Sequence, residues 1–147
     1  MSEQKSYLPD GLAAPAALPD GLDTPYWEGI AGGELRVQRC RSCQTFQWGP
    51  EWICHSCLSF DVSFEPITPR GVIYSWERVW HPVHPALKEA GPYIVVLVEL
   101  PDAGRVRMVG NLLGDPGQEV EIGAPVEAVF EKHGGENPHV LVQWRVA

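Results

Sequence analysis

The sequence predicts a mainly β protein in which a short helix and a cysteine-rich ribbon precede a small five-stranded barrel. Four cysteines fall in two CxxC pairs within 18 residues, one short helical pattern lies before them, and five β-rich runs follow. The hydrophobic share of 44% and the charged share of 20% are typical of a globular protein. A chain of 147 residues forms one domain or two small modules, so a bound metal is expected to supply part of the stability.

The chain begins with a proline-rich segment that offers little apolar material for a core. Residues 1–23 contain Pro9, Pro15 and Pro19, and the string Pro-Asp-Gly-Leu occurs at positions 9 and 19. Such a composition predicts a flexible or extended arm. We place the helix and ribbon in residues 24–66 and the barrel in residues 67–147.

A short helix is predicted directly after this arm, from about Pro25 to Ala31. Thr24 is a suitable N-cap, and proline is favoured at the first helical position. Tyr26, Trp27 and Ile30 form an apolar face, and two glycines end the helix.

The two CxxC pairs predict a metal site made by Cys40, Cys43, Cys54 and Cys57. A CxxC turn brings two thiolates to a metal's width, and two turns joined by a hairpin complete a tetrahedral shell. Zinc is the preferred ion, with disulfides and an iron ion in a rubredoxin-like four-sulfur site as alternatives. Four thiolates leave no position for water or substrate, so the role is structural. His55, between two better-placed thiolates, is predicted to face solvent.

Five β-rich runs make up the second half, which predicts a small barrel. The segments between them carry turn residues, except for a loop of about a dozen residues from His81 to Pro92. The runs are Val72–Trp80, Tyr93–Leu100, Val106–Leu113, Pro125–Glu131 and Val140–Val146.

Polar and aromatic candidates in the barrel half have functional and structural interpretations. His81 and His84 could reach one ligand, although a rigid exposed loop explains them more simply. Tyr74, Trp76 and Trp80 alternate along one strand, which is typical of a core or protein interface, while stacking on bases is the alternative. Arginines at 105 and 107 fit a charged strand edge or an anionic ligand.

Composition and missing motifs exclude several functions. Nineteen acidic against eleven basic residues give a net charge of -8, which disfavours nucleic acid as the main partner. The start lacks the order of a secretory signal and no apolar run suits a membrane span, so a cytoplasmic location is expected. There is no phosphate-binding loop, GxSxG or HExxH motif, and every thiol is committed to the metal, so catalysis by this chain alone is disfavoured.

The order of these features resembles a known family, the zinc-ribbon plus OB-fold proteins associated with thiolases, called domain of unknown function thirty-five. The resemblance runs from about Thr24 to the C-terminus, and the arm lies outside it. It depends on the strings Thr24-Pro-Tyr-Trp-Glu-Gly-Ile, Gly33-Glu-Leu-Arg-Val-Gln-Arg-Cys, CxxC, ten residues, CxxC, Arg70-Gly-Val-Ile-Tyr-Ser and Gly123-Ala-Pro-Val-Glu-Ala-Val-Phe. Gln44 and Leu58 follow the two CxxC pairs, where many members have glycine.

The resemblance implies a rubredoxin-like ribbon, an OB barrel and a non-catalytic subunit bound to a thiolase-fold enzyme that acts on acyl-CoA. The catalytic cysteine would belong to that partner, which in such families is a thiolase, a hydroxymethylglutaryl-CoA synthase system, an acyltransferase or a steroid side-chain aldolase. We expect the arm, the helix with Tyr26 and Trp27, and one face of the barrel to contact the partner. His81 and His84 are expected to lie near its acyl-CoA entrance. A single-stranded nucleic-acid binder and an iron-containing redox carrier are the alternatives.

Overall fold

The computed structural model describes residues 6–17 and 20–147. Residues 1–5, Leu18 and Pro19, which belong to the predicted arm, lie outside the described residues. The elements are α1 (Thr24–Ala31), β1 (Arg36–Cys40), β2 (Phe46–Gln47), β3 (Val62–Pro66), β4 (Arg70–Val79), β5 (Tyr93–Leu100), β6 (Val106–Asn111), β7 (Pro125–His133) and β8 (His139–Val146), with 3-10 turns at Pro85–Leu87 and Pro101–Ala103.

The helix forms where the sequence predicts it, but its first turn is arranged differently. Asp23, not Thr24, occupies the cap position, and its side chain makes no capping hydrogen bond. Asp23 Oδ2 instead accepts a hydrogen bond of 2.8 Å from Trp27 Nε1. The prediction of Thr24 as N-cap was therefore wrong, because the neighbouring carboxylate takes the cap position and the indole engages it.

The ribbon is a three-stranded antiparallel sheet in the order β2-β1-β3. The expected hairpin between the cysteine pairs does not form there. Instead, Phe46 and Gln47 pair back onto β1 across the first CxxC turn, so the hairpin encloses that turn. Residues 48–53 have no strand, and side chains described below hold them in place.

The second sheet has five antiparallel strands in the order β6-β5-β4-β7-β8. A bridge between Leu112 and Trp144 brings its two edges together, which gives a nearly closed barrel. Trp144 is fully buried in the core. Gly110 permits this packing, because a Cβ at that position would lie 2.8 Å from Trp144 Cδ1. The predicted mainly β fold, with one short helix, a four-cysteine ribbon and a five-stranded barrel, is confirmed.

Two of the three aromatic residues predicted on the first barrel strand lie outside the barrel core. A register shift between Ile73 and Ser75 interrupts the alternation of the strand. Tyr74 and Trp80 are exposed by 45% and 63%, and Trp76 is partly buried. Arg107 lies over the Tyr74 ring at 3.5 Å.

The 3-10 turn at Pro85–Leu87 lies within the long loop, where the sequence allowed a helical turn. None of the helices in the described ranges has the length and apolar character needed to span a bilayer.

Candidate metal centre

The four cysteines meet at one end of the ribbon. All their Sγ atoms lie within 4.8 Å of one another. The Sγ atoms of Cys40 and Cys57 are 3.6 Å apart, as are those of Cys43 and Cys54. A tetrahedral zinc site with Zn–S bonds of about 2.3 Å requires S···S separations of about 3.8 Å. The donor set and its spacing therefore fit a structural zinc ion, as the sequence predicted.

Each CxxC turn closes with a residue in the left-handed conformation. Gln44 has φ of 66° and Leu58 has φ of 63°. Their N–H groups donate to the carbonyls of Cys40 and Cys54 at 2.9 and 3.0 Å. Glycine adopts this conformation without steric cost, whereas a residue with a side chain does so less readily. The knuckles nevertheless form with a larger residue at both positions.

Two buried glutamines fix the loop between the cysteine pairs. Gln38 and Gln47 are 1% and 3% exposed, and Gln47 Nε2 donates to Gln38 Oε1. Gln38 exchanges hydrogen bonds of 3.0 Å with the backbone N–H and C=O of Glu51. Gln47 donates to the Ile53 carbonyl and accepts from the His55 N–H, at 3.2 and 3.1 Å. The glutamine pair thus provides hydrogen-bond partners for backbone groups of this loop, which a neighbouring strand would otherwise provide.

The thiols have divergent acidities because they crowd one another. Hydrogen bonding by the side chain and the backbone of Thr45 lowers the pKa of Cys43 to about 6. At Cys57 the backbone of Ser59 favours the thiolate, but the neighbouring thiols and burial outweigh it and raise the pKa to about 12. A cation at the centre of the cluster would favour the thiolate form of all four cysteines.

His55 is exposed and lies outside the sulfur cluster, as expected. Among the described residues, the four cysteines form the group of histidine, cysteine and acidic side chains placed to hold a metal. His81 and His84 are exposed, and His84 Nδ1 accepts a hydrogen bond of 3.2 Å from the Ala86 N–H within the loop.

The residues predicted to face a partner occupy different environments. Tyr26 is only 7% exposed and makes edge contacts with Trp27 and Trp48, with ring centroids 5.1 and 4.9 Å apart. Trp27 is partly exposed beside it. Burial raises the pKa of the Tyr26 hydroxyl, and Asp23 adds to the shift. A partner would therefore meet Trp27 more readily than Tyr26.

Sequence reasoning missed two polar groups that the fold assembles. One is the glutamine pair of the ribbon. The other lies on the β7–β8 hairpin, where Glu131 and Gln143 are buried and His133 Nε2 lies 2.6 Å from Glu131 Oε1. For both groups, the feature that the sequence offers is a polar residue within a segment that forms a strand.

These features define the class of protein: a four-cysteine zinc ribbon joined to an OB-type barrel. Comparison with known families agrees with this. Residues 27–63 match the rubredoxin-like zinc ribbon domain of ChsH2, and residues 64–131 match the C-terminal OB-fold domain of ChsH2.

Three similar proteins cover most of the chain. A solved structure named Ltp2–ChsH2(DUF35) aldolase superposes with a TM-score of 0.72 and 32% identity, over 90% of this chain and 98% of the matched chain. The probable enoyl-CoA hydratase alpha subunit of Thermomonospora curvata is 36% identical over 126 residues, which are 85% of this chain and 38% of that protein. A DUF35 domain-containing scaffold protein of Methanocaldococcus jannaschii is 29% identical over 96 residues, which are 64% of this chain and 65% of that protein.

The chain therefore belongs to the ChsH2-type zinc-ribbon and OB-fold family, DUF35. This confirms the family resemblance. The chain spans about two fifths of the length of the hydratase alpha subunit and about two thirds of the length of the scaffold protein.

Proposed function

We propose that this chain is a non-catalytic accessory subunit of a complex that acts on acyl-CoA substrates, with a thiolase-fold enzyme as its partner. The observation that carries the proposal is the similarity to the Ltp2–ChsH2(DUF35) aldolase, which covers 98% of the matched chain. Other relatives are named as an alpha subunit and as a scaffold, and both names describe proteins that work with other chains.

The chemistry of the metal centre supports a role without catalysis. Four thiolates saturate a tetrahedral ion, so it has no free position at which to polarise a thioester or activate water. All four cysteines belong to this site, which leaves no other thiol in the chain for an acyl-enzyme intermediate. Reaction chemistry on an acyl-CoA would then fall to the partner.

Exposed apolar side chains supply candidate contacts for that partner. Trp52, Leu58 and Phe60 on the ribbon are 61%, 67% and 77% exposed. Trp80 and Val83, at the start of the long loop, are 63% and 96% exposed. Large exposed apolar groups of this kind are typical of interaction surfaces. We infer that the loop, with His81 and His84, and the Trp27 side of the helix contact the partner near its acyl-CoA entrance.

Co-expression with a thiolase-fold enzyme from the same genome tests the proposal. We expect the two chains to co-purify and to bury more than about 1,000 Å². Trp80→Ser should weaken the complex, whereas Ile122→Ser, which also replaces an exposed apolar residue, should not. Conversion of a thioester by the isolated chain, or its elution as a monomer without effect on that enzyme, would contradict the proposal.

The role of the loop has its own readout. Replacing both His81 and His84 by alanine should change the turnover of the complex while leaving assembly intact. His55→Ala, at an exposed histidine beside the metal ligands, is the matched control. Unchanged kinetics of the double variant would remove the proposed role near the entrance.

A further inference from the structure

A cavity of about 380 Å³ lies between the N-terminal arm and the barrel. Ser6, Tyr7 and Leu8 of the arm form one side, and residues of β6, β7 and β8 form the other. Tyr7 holds the arm in place, because its hydroxyl donates to the Leu112 carbonyl at 2.6 Å and its ring lies 6.3 Å from that of Tyr93. The volume is within the range of about 300–1,000 Å³ that is usual for small-molecule sites.

The wall of the cavity contains a buried carboxylate that is only half satisfied. Glu131 is 9% exposed. Its Oε1 atom contacts His133 Nε2 at 2.6 Å and accepts from Ser6 Oγ at 3.3 Å. Its Oε2 atom is buried and has no hydrogen-bond partner within the part of the chain that the structure describes. A buried acceptor without a donor is destabilising, and more so when it is charged.

The neighbouring polar side chains are already engaged. Gln143 Oε1 accepts from the Asn111 N–H at 2.6 Å, and Gln143 Nε2 lies 3.5 Å from Glu131 Oε1. Asn111 Nδ2 donates to the Ile94 carbonyl. Neither side chain can supply the missing donor without breaking one of these bonds, so a donor for Glu131 is most readily supplied by a molecule in the cavity.

A second polar group, the hydroxyl of Tyr26, belongs to a residue that lines the same cavity. The Tyr26 side chain is 7% exposed. Burial raises its pKa, so the hydroxyl stays protonated and available as a donor. The rest of the lining is largely apolar and includes Leu87, Tyr93, Val109 and Leu141.

The lining also disfavours a negatively charged occupant. Among the described residues that line the cavity there is no lysine, arginine or histidine, and the one charged group is Glu131. A carboxylate or phosphate would enter without a counter-charge and beside a like charge. We propose that the cavity binds a small, mostly apolar, neutral molecule with a hydroxyl group that donates to Glu131. The site belongs to this chain, so the proposal does not depend on the identity of the partner enzyme.

Three probes of similar size test this proposal on the zinc-loaded full chain. They are 2-cyclohexylethanol, its methyl ether and cyclohexylacetate, titrated while the backbone amide resonances of Gly110 and Asn111 are followed by NMR. We expect saturable shifts at these amides with the alcohol, affinity at least about tenfold weaker with the ether because the donor is lost, and no binding of the carboxylate. The proposal is overturned if the alcohol and the ether bind equally well. It is also overturned if no probe gives a saturable shift, which would mean that the cavity holds only water.

Two variants locate the binding. Glu131→Gln should weaken alcohol binding at least about tenfold, since a hydrogen bond to a charged acceptor becomes one to a neutral amide. Glu127→Gln, on the same strand but outside the cavity, should leave it unchanged. Val109 lines the cavity and is 67% exposed, so Val109→Trp should block entry and abolish alcohol binding. This second variant locates the site even if Glu131→Gln fails to fold. Wild-type affinity in Glu131→Gln or Val109→Trp refutes the site.

Discussion

Gln47→Met tests whether the buried glutamines hold the second metal-binding turn in place. Methionine has a similar volume, so the change removes hydrogen bonds with little change in packing. Three bonds are lost, to Gln38 Oε1, the Ile53 carbonyl and the His55 N–H. At about 1 kcal/mol each, the ribbon should lose about 3 kcal/mol, which corresponds to a fall of about 150-fold in zinc affinity.

The link from hydrogen bonds to zinc affinity follows from the position of His55. This residue lies between the ligands Cys54 and Cys57, so its N–H anchors the turn that presents both thiolates. Metal binding and folding of such a site are coupled, and a cost to one is a cost to the other.

Competition with a chromogenic chelator measures the zinc affinity, and circular dichroism follows thermal unfolding. Gln118→Met is the matched control, because that residue lies in the β6–β7 connection, away from the ribbon. A loss of less than threefold in affinity for Gln47→Met would refute the idea that the glutamine pair supports the metal centre.

Three further predictions concern the ion, the knuckles and the helix. Elemental analysis should find one zinc per colourless chain, and chelation should abolish the ordered NMR signals of the ribbon; an apo chain with an unchanged spectrum would contradict a structural role. Leu58→Gly should retain zinc and stability, because glycine adopts the left-handed conformation without steric cost. Leu58→Val should lower the free energy of unfolding by about 1–2 kcal/mol, because a β-branched residue fits that conformation poorly; equal stability of the two variants would count against strain at this turn. Burial raises the pKa of Tyr26 above 10.0, so above pH 10 ionisation favours the unfolded chain and the free energy of unfolding falls by up to about 1.4 kcal/mol per pH unit. Denaturant unfolding at pH 9 and 11 should show a smaller loss in Tyr26→Phe than in the wild type, and identical losses would refute this assignment.

The metal centre could be read from the sequence because its geometry is local. A CxxC turn positions its own two sulfurs through bonds made within the turn, such as Gln44 N–H to the Cys40 carbonyl. The short helix and the barrel strands were predictable for a similar reason, since helix-ending glycines and period-two runs reflect local backbone preference. The N-cap was misplaced because Asp23 and Thr24 are both good caps, and the contact with the Trp27 indole decides between them.

Tertiary structure alone decided where the polar side chains act. Nothing local distinguishes Gln47 in its strand from a solvent-facing glutamine, and only its pairing with Gln38 on the neighbouring strand shows that it is buried. The cavity beside Glu131 likewise depends on the hydrogen bond from Tyr7 to the Leu112 carbonyl, which joins residues 105 positions apart. Sequence determined what repeats within a turn or along a strand, whereas contacts between distant segments depend on packing of the whole chain, which no short window of residues specifies.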